Sequence, residues 1–263
     1  MKMDKMIEIL KKFDEGKKTE KEILEQLEGT DPFYFYAAII ELYDKEDIRL
    51  DRGDSPVLSK LFQKLFKDDL NKLIKNLEEG HPIKELIYEH EQFETLLDML
   101  KNMTEDIEDK PDPKKIERIE NITDALKHLN THFKIEEECI FPAWHEKEGW
   151  DHMDSFLLEE EHSDILKSYE KLTNVVNEKE KNVDESWKDL SELVDKLIGE
   201  LSFHVFHEGD IFYPIMVDQL STEKSEEIKE KIGELKDENF VRSLDEYINY
   251  LSDLSLNEDE DKI

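Results

Sequence analysis

His90 and His162 lie 72 residues apart, and each follows a glutamate, Glu89 and Glu161. The same offset relates His132 to His204, Glu136 to Glu208 and Pro142 to Pro214. Two histidine pairs at one offset, with glutamates and prolines in register, mark an internal duplication. Within each copy the second histidine follows the first by 42 residues, and a glutamate stands four residues later. Residues four apart on a helix share a face. His132 with Glu136, and His204 with Glu208, therefore each aim an imidazole and a carboxylate at one point. Cation binding is the chemistry open to such a set, because both groups donate to metals and are costly to bury without one.

The elements that must position these residues read as helices throughout. Apolar residues recur at three and four, and no convincing alternating strand is present. Met3, Met6, Ile7, Leu10 and Phe13 form one stripe over residues 2–15. Thr19 and Glu22 predict a capping box. Asp31-Pro32 and Ser55-Pro56 each open a further helix with a cap and a proline at the first helical position. From His81 four longer helices are expected, over 82–108, 113–146, 151–180 and 184–220. Two amphipathic pieces follow near 222–235 and 240–251, and residues 257–261 form an acidic tail expected to be disordered. Residues 1–79 thus read as a helical N-terminal module of unknown role, 80–220 as a four-helix bundle, and 221–263 as C-terminal helices with a tail.

The 42-residue spacing accommodates the rest of one helix, a turn and the return of the next. Folded antiparallel, it sets His90 opposite His132 and His162 opposite His204. Two such hairpins packed face to face bring four imidazoles and two carboxylates into one core, the way helix bundles hold two metals. Two bridging carboxylates and two imidazoles per metal, completed by an oxo or hydroxo bridge from solvent, suit two iron ions in a non-haem diiron centre. Manganese or zinc would also accept these donors. Cys139 is the only cysteine, which excludes a cysteine-built cluster and an intrachain disulfide.

Glu89-His90, His132-Phe133-x-x-Glu136 leading to Phe141-Pro142, Glu161-His162, and His204-x-x-x-Glu208 leading to Tyr213-Pro214 together resemble the hemerythrin-like (HHE) cation-binding domain. The resemblance covers about residues 82–220. It implies an up-down-up-down four-helix bundle holding a diiron centre, and with the additional N-terminal and C-terminal helices read above the whole chain is expected to be all-α. Matched residue by residue, it carries ligand roles to His90, His132, Glu136, His162, His204 and Glu208, with the glutamates bridging. Oxygen-carrying members have a second histidine one turn after the third-helix histidine, where this chain has Leu166. They also have an aspartate five residues after the last helix's histidine, where it has Gly209. The four-histidine, two-glutamate set is similar to the repair-of-iron-centres and iron-sensing types. Residues 1–79 lack the adjacent cysteines that repair proteins often carry there.

The remaining candidates are read more plainly. His128 is expected as a core hydrogen-bonder, Glu94 as a solvated flank, and Cys139 as a small buried residue. His81, His145, His152 and His207 are expected at the surface. Glu137, Glu138, Glu159 and Glu160 form a solvated face from which a carboxylate can orient a ligand imidazole.

Composition bounds the partners. A formal net charge of -33 argues against nucleic acid and anionic membrane surfaces. The longest apolar run, Phe33 to Ile40, is far short of the roughly 20 residues that a membrane helix needs. Met1-Lys2-Met3-Asp4-Lys5 lacks the apolar stretch of a secretory signal, so a cytoplasmic location is expected. No phosphate loop or nucleophile elbow occurs. The functional expectation is iron handling or a nitric oxide or dioxygen stress response, including iron–sulfur cluster repair, with iron, O2, NO and iron–sulfur proteins as partners. The alternative is a reversible O2 or NO binder or sensor with the N-terminal helices as output module.

Overall fold

A computed structural model describes residues 3–45, 56–104, 113–145, 156–177, 186–236 and 244–251. These are helical, with no strand among the described residues, and the fold is an all-α bundle with extra helices. The chain divides into two compact units. One comprises Met1–Glu79, Ala143–Ser155 and Phe206–Ser221; the other comprises Gly80–Pro142, Phe156–Val205 and Thr222–Ile263.

The first unit opens with α1 (Met3–Asp14), α2 (Glu20–Leu27), α3 (Pro32–Lys45) and α4 (Pro56–Lys75). The expected caps are present where they are described. Glu22 N–H donates to Thr19 Oγ1, and Thr19 N–H donates to Glu22 Oε2, closing the capping box. Phe33 N–H donates to Asp31 Oδ1 at 2.8 Å. Ser55 lies outside the described residues. The apolar stripe of α1 is buried at Met6, Ile7 and Leu10, and α1 packs on α3. Phe35, Phe62 and Phe66 pack their rings together in tilted and edge-on contacts between α3 and α4.

In the second unit the arms of the bundle are α5 (Pro82–Thr104), the rod α6 (Pro113–Ala125) to α7 (His128–Ile135), α9 (Phe156–Asn177) and α10 (Ser186–His207). Their apolar faces meet in one core containing Phe93, Leu97, Ile122, Leu129, Phe133, Ile165, Leu172, Leu197 and Leu201. That core is contiguous, which holds the helix faces in register. The C-terminal segment contributes α12 (Thr222–Leu235), which packs on α5, and a helix over 244–251 whose Leu244 and Leu251 enter the same core. The acidic tail lies outside the described residues.

The arms differ from four plain helices in two respects. The rod expected over 113–146 is broken at Leu126–Lys127, where the amides of Lys127, Leu129 and Asn130 each donate three residues back. Asn130 Nδ2 also donates to the Lys127 carbonyl, giving the tightened turn a second contact. Beyond α7 the rod widens into a π-turn, Glu136–Ile140, before α8 (Phe141–His145). Beyond α10 the same happens at Glu208–Phe212 before α11 (Tyr213–Gln219). The amides of Phe141 and Tyr213 reach back five residues to the carbonyls of Glu136 and Glu208. The repeated prolines explain both. A proline ring clashes with the carbonyl four residues before it and offers it no donor, so the backbone just ahead of Pro142 and Pro214 opens by one residue.

Candidate metal centre

α5, α7, α9 and α10 each contribute one imidazole, and none is more than 2% exposed: His90 2%, His132 1%, His162 1%, His204 0%. His90 Nε2 and His132 Nε2 face each other at 2.9 Å. Rings pack the imidazoles in place. Phe133 stacks on His162 with centroids 4.0 Å apart, and Phe93 meets His132 edge-on at 5.3 Å.

Glu136, fully buried, begins the first π-turn one helical turn past His132. Its Oε1 lies 3.1 Å from His132 Nε2 and 3.9 Å from His90 Nε2, while Oε2 lies 3.2 Å from His162 Nε2. One carboxylate thus addresses both hairpins. Glu208, also fully buried, begins the second π-turn, and its place relative to His204 is set by the unbroken helical rod that carries both. Ligand-type atoms of His90, His132, Glu136 and Glu208 lie within 4.8 Å of one another, as do those of Glu136, His162, His204 and Glu208. All six residues expected from the sequence fall in these two overlapping groups.

Outside this cluster, three imidazoles are held by their other nitrogen. His132 Nδ1 donates to Glu89 at 2.8 Å, His162 Nδ1 to Glu137 at 2.8 Å, and His204 Nδ1 to Glu161 at 3.0 Å. A carboxylate only accepts, so each Nδ1 carries a hydrogen and each Nε2 faces inward, where a cation would take its lone pair in place of any proton. The Lys236 ammonium lies 3.4 Å from Glu89 and braces it in turn. The electrostatics ask for positive charge at the centre. Burial pushes the His132 imidazole down, but the carboxylates of Glu136 and Glu89 outweigh it and raise it to about 10. Inward nitrogen lone pairs beside buried carboxylates are the donor set of a transition-metal cation, and the residues present fit one.

The model of the hemerythrin HHE cation binding domain matches residues 81–155 and again 153–253, one copy of the duplication in each segment. The chain belongs to the hemerythrin HHE cation-binding family. A search among curated proteins finds no significant match. Membership in the hemerythrin HHE family and the buried histidine–glutamate groups make this a metal-binding protein.

Several residues of this hemerythrin HHE chain sit apart from both groups. His128 is buried, its ring edge-on to Tyr247 at 5.9 Å, and burial lowers its basicity. Glu94 is exposed, and Cys139 is buried with its thiol pushed up by desolvation. His81 is half-buried and accepts from the Ile83 amide. His152 and the His145 side chain lie outside the description. His207 corrects an expectation: it is buried, 8% exposed, and hydrogen-bonded to the Tyr36 hydroxyl. The duplication already held the reason, because its counterpart Ile135 is an inward position.

The orienting roles of Glu89 and Glu161 were not read from the sequence, although their matched register carried the signal. Glu137 orients as expected, while Glu138, Glu159 and Glu160 are exposed. Replacing Glu161 by alanine is expected to weaken cation affinity about 10–100-fold while leaving the fold intact, as loss of an outer carboxylate does elsewhere. Competition with a chelator of known affinity measures this. An unchanged affinity would deny Glu161 its role.

Proposed function

We propose that this chain is a non-haem diiron protein in which His90, His132, Glu136, His162, His204 and Glu208 are the ligands, with Glu136 and Glu208 shared between the irons. The observation that carries the reading is the pair of overlapping histidine–carboxylate groups that have Glu136 and Glu208 in common. Iron held there supplies reversible one-electron chemistry and affinity for small diatomic ligands such as dioxygen and nitric oxide.

The protein's own residues supply the rest. Glu89, Glu137 and Glu161 fix three imidazole orientations, so the donor atoms need little reorganisation on binding. Phe93, Phe133, Ile165 and Phe141 are buried around the histidines and keep bulk water out. Leu166, one turn beyond His162, places an apolar side chain where oxygen carriers set a further imidazole. The centre therefore keeps more open coordination than a five-histidine site. That supports a role in iron handling or in a nitric oxide or dioxygen stress response, repair of iron–sulfur clusters included, rather than simple oxygen carriage. No described helix is long and apolar enough to cross a membrane, and we place the activity in the cytoplasm.

Metal analysis with an optical spectrum of protein purified without added metal tests the reading. About two irons per chain with near-ultraviolet charge-transfer bands are expected of a bundle site of this kind. His204→Ala should abolish the bands and His81→Ala should keep them. Zinc in place of iron, or equal spectra in the two variants, would overturn the diiron assignment.

A further inference from the structure

The second π-turn is gripped from the N-terminal helices. The buried Tyr36 hydroxyl of α3 is hydrogen-bonded to His207 Nε2, and the Tyr36 ring is held edge-on by Phe62 and by the His207 imidazole. On α4, Gln63 Nε2 donates to Asp210 Oδ2 at 2.9 Å, and the Lys67 ammonium lies 3.5 Å from the same oxygen. α4 also packs on α11 and on the turn itself. These contacts fall on residues 207 and 210, and Glu208 stands between them.

The duplication shows that this grip is particular to one copy. The positions related to His207 and Asp210 in the first copy are Ile135, which is apolar, and Glu138, which is exposed. The two π-turns are alike in backbone and in their ligand-type glutamate. They differ at the places that α3 and α4 hold.

We propose that Tyr36 and Gln63 are positioning residues that clasp the turn carrying Glu208, and that through them α3 and α4 respond to whether the centre holds its cations. This rests on the metal-binding reading above and names the regulation of that same site. Glu136 and Glu208 place buried carboxylates in one cluster. Cations between them would draw both toward a common charge; without cations that attraction is lost, and the turn carrying Glu208 relaxes. A turn tied on both sides passes that change to the helices that tie it, and the same tie biases Glu208 toward its binding position. The coupling is reciprocal by necessity.

Hydrogen exchange of the full-length protein, chelated or reloaded with ferrous iron, tests the clasp. In the wild type, α3 and α4 are expected to exchange at least about fivefold more slowly when loaded, the lower end of ordinary coupling between sites. In a Tyr36→Phe, Gln63→Leu double variant that slowing is expected to vanish from α3 and α4, while α9 in the same sample keeps its response and iron is still bound. A purely structural role would instead raise exchange equally with and without iron. Iron bound by the wild type with α3 and α4 indifferent to it overturns the clasp alone, as does a double variant that responds like the wild type. Failure of the wild type to bind iron overturns the metal reading and the clasp together.

Discussion

Replacing Glu136 by alanine is expected to release the bound metal and lower affinity by more than about 100-fold, beyond what loss of an outer carboxylate costs. The side chain is fully buried, its two oxygens face histidines of different hairpins, and it belongs to both candidate groups. No other residue except Glu208 shares that membership. The metal-free protein should be affected as well. There Glu136 faces the protonated His132 imidazole, so its removal breaks a buried ion pair and is expected to lower the stability of the chelated protein. Metal content by elemental analysis, set beside unfolding of the chelated variant, separates the lost ligand from the lost ion pair. Wild-type metal content in Glu136→Ala would sink the assignment, and Glu138→Ala, which changes an exposed neighbour, serves as the control.

Chelation is expected to lower the melting temperature by about 10 °C. A ligand present at a thousand times its dissociation constant stabilises by about 4 kcal/mol, and for a chain of this size each kcal/mol moves the midpoint by about 2–4 °C. The loss should also acquire a pH dependence whose sign follows from two groups. His132 is raised from 6.5 to about 10, so its contribution is complete below 6.5 and is lost as pH rises through 10. Glu89 is half-buried, and desolvation alone would raise it, but its bond to His132 brings it below 4.5. Its contribution is present above 4.5 and is lost as pH falls through its folded value. The metal-free protein should therefore gain most from this pair between about pH 4.5 and 6.5 and weaken toward pH 10. With a cation bound, the proton on His132 Nε2 is replaced and the alkaline slope disappears. The gap between loaded and chelated melting temperatures should thus widen from neutral pH upward. A gap that narrows over that range would contradict the electrostatics of the centre.

Much of the centre was legible because a duplication leaves its ligands in register. His132 and Glu136, four apart, needed only the helical period to be set on one face, and the 42-residue spacing needed only an antiparallel return. What escaped notice depended on partners distant in sequence or on backbone departures. Glu161 reaches His204 across 43 positions, and Tyr36 reaches His207 across 171. No periodicity in one segment announces such a partner. The π-turns were hidden for another reason. Pro142 and Pro214 were visible, but a proline that breaks a helix and one that widens it look the same in a string of letters. His207 was misread because a polar residue on an inward face looks solvated until the tyrosine that receives it is known.

The outer carboxylates have a consequence that can be seen from outside the centre. A ring proton fastened between Nδ1 and a carboxylate, on an imidazole that is 1% exposed or less, is sheltered from the solvent that would carry it away. Three such protons turn three otherwise silent imidazoles into reporters. With a diamagnetic ion in place of iron, each gives its own far-downfield magnetic resonance line, by which the rings can be followed one at a time.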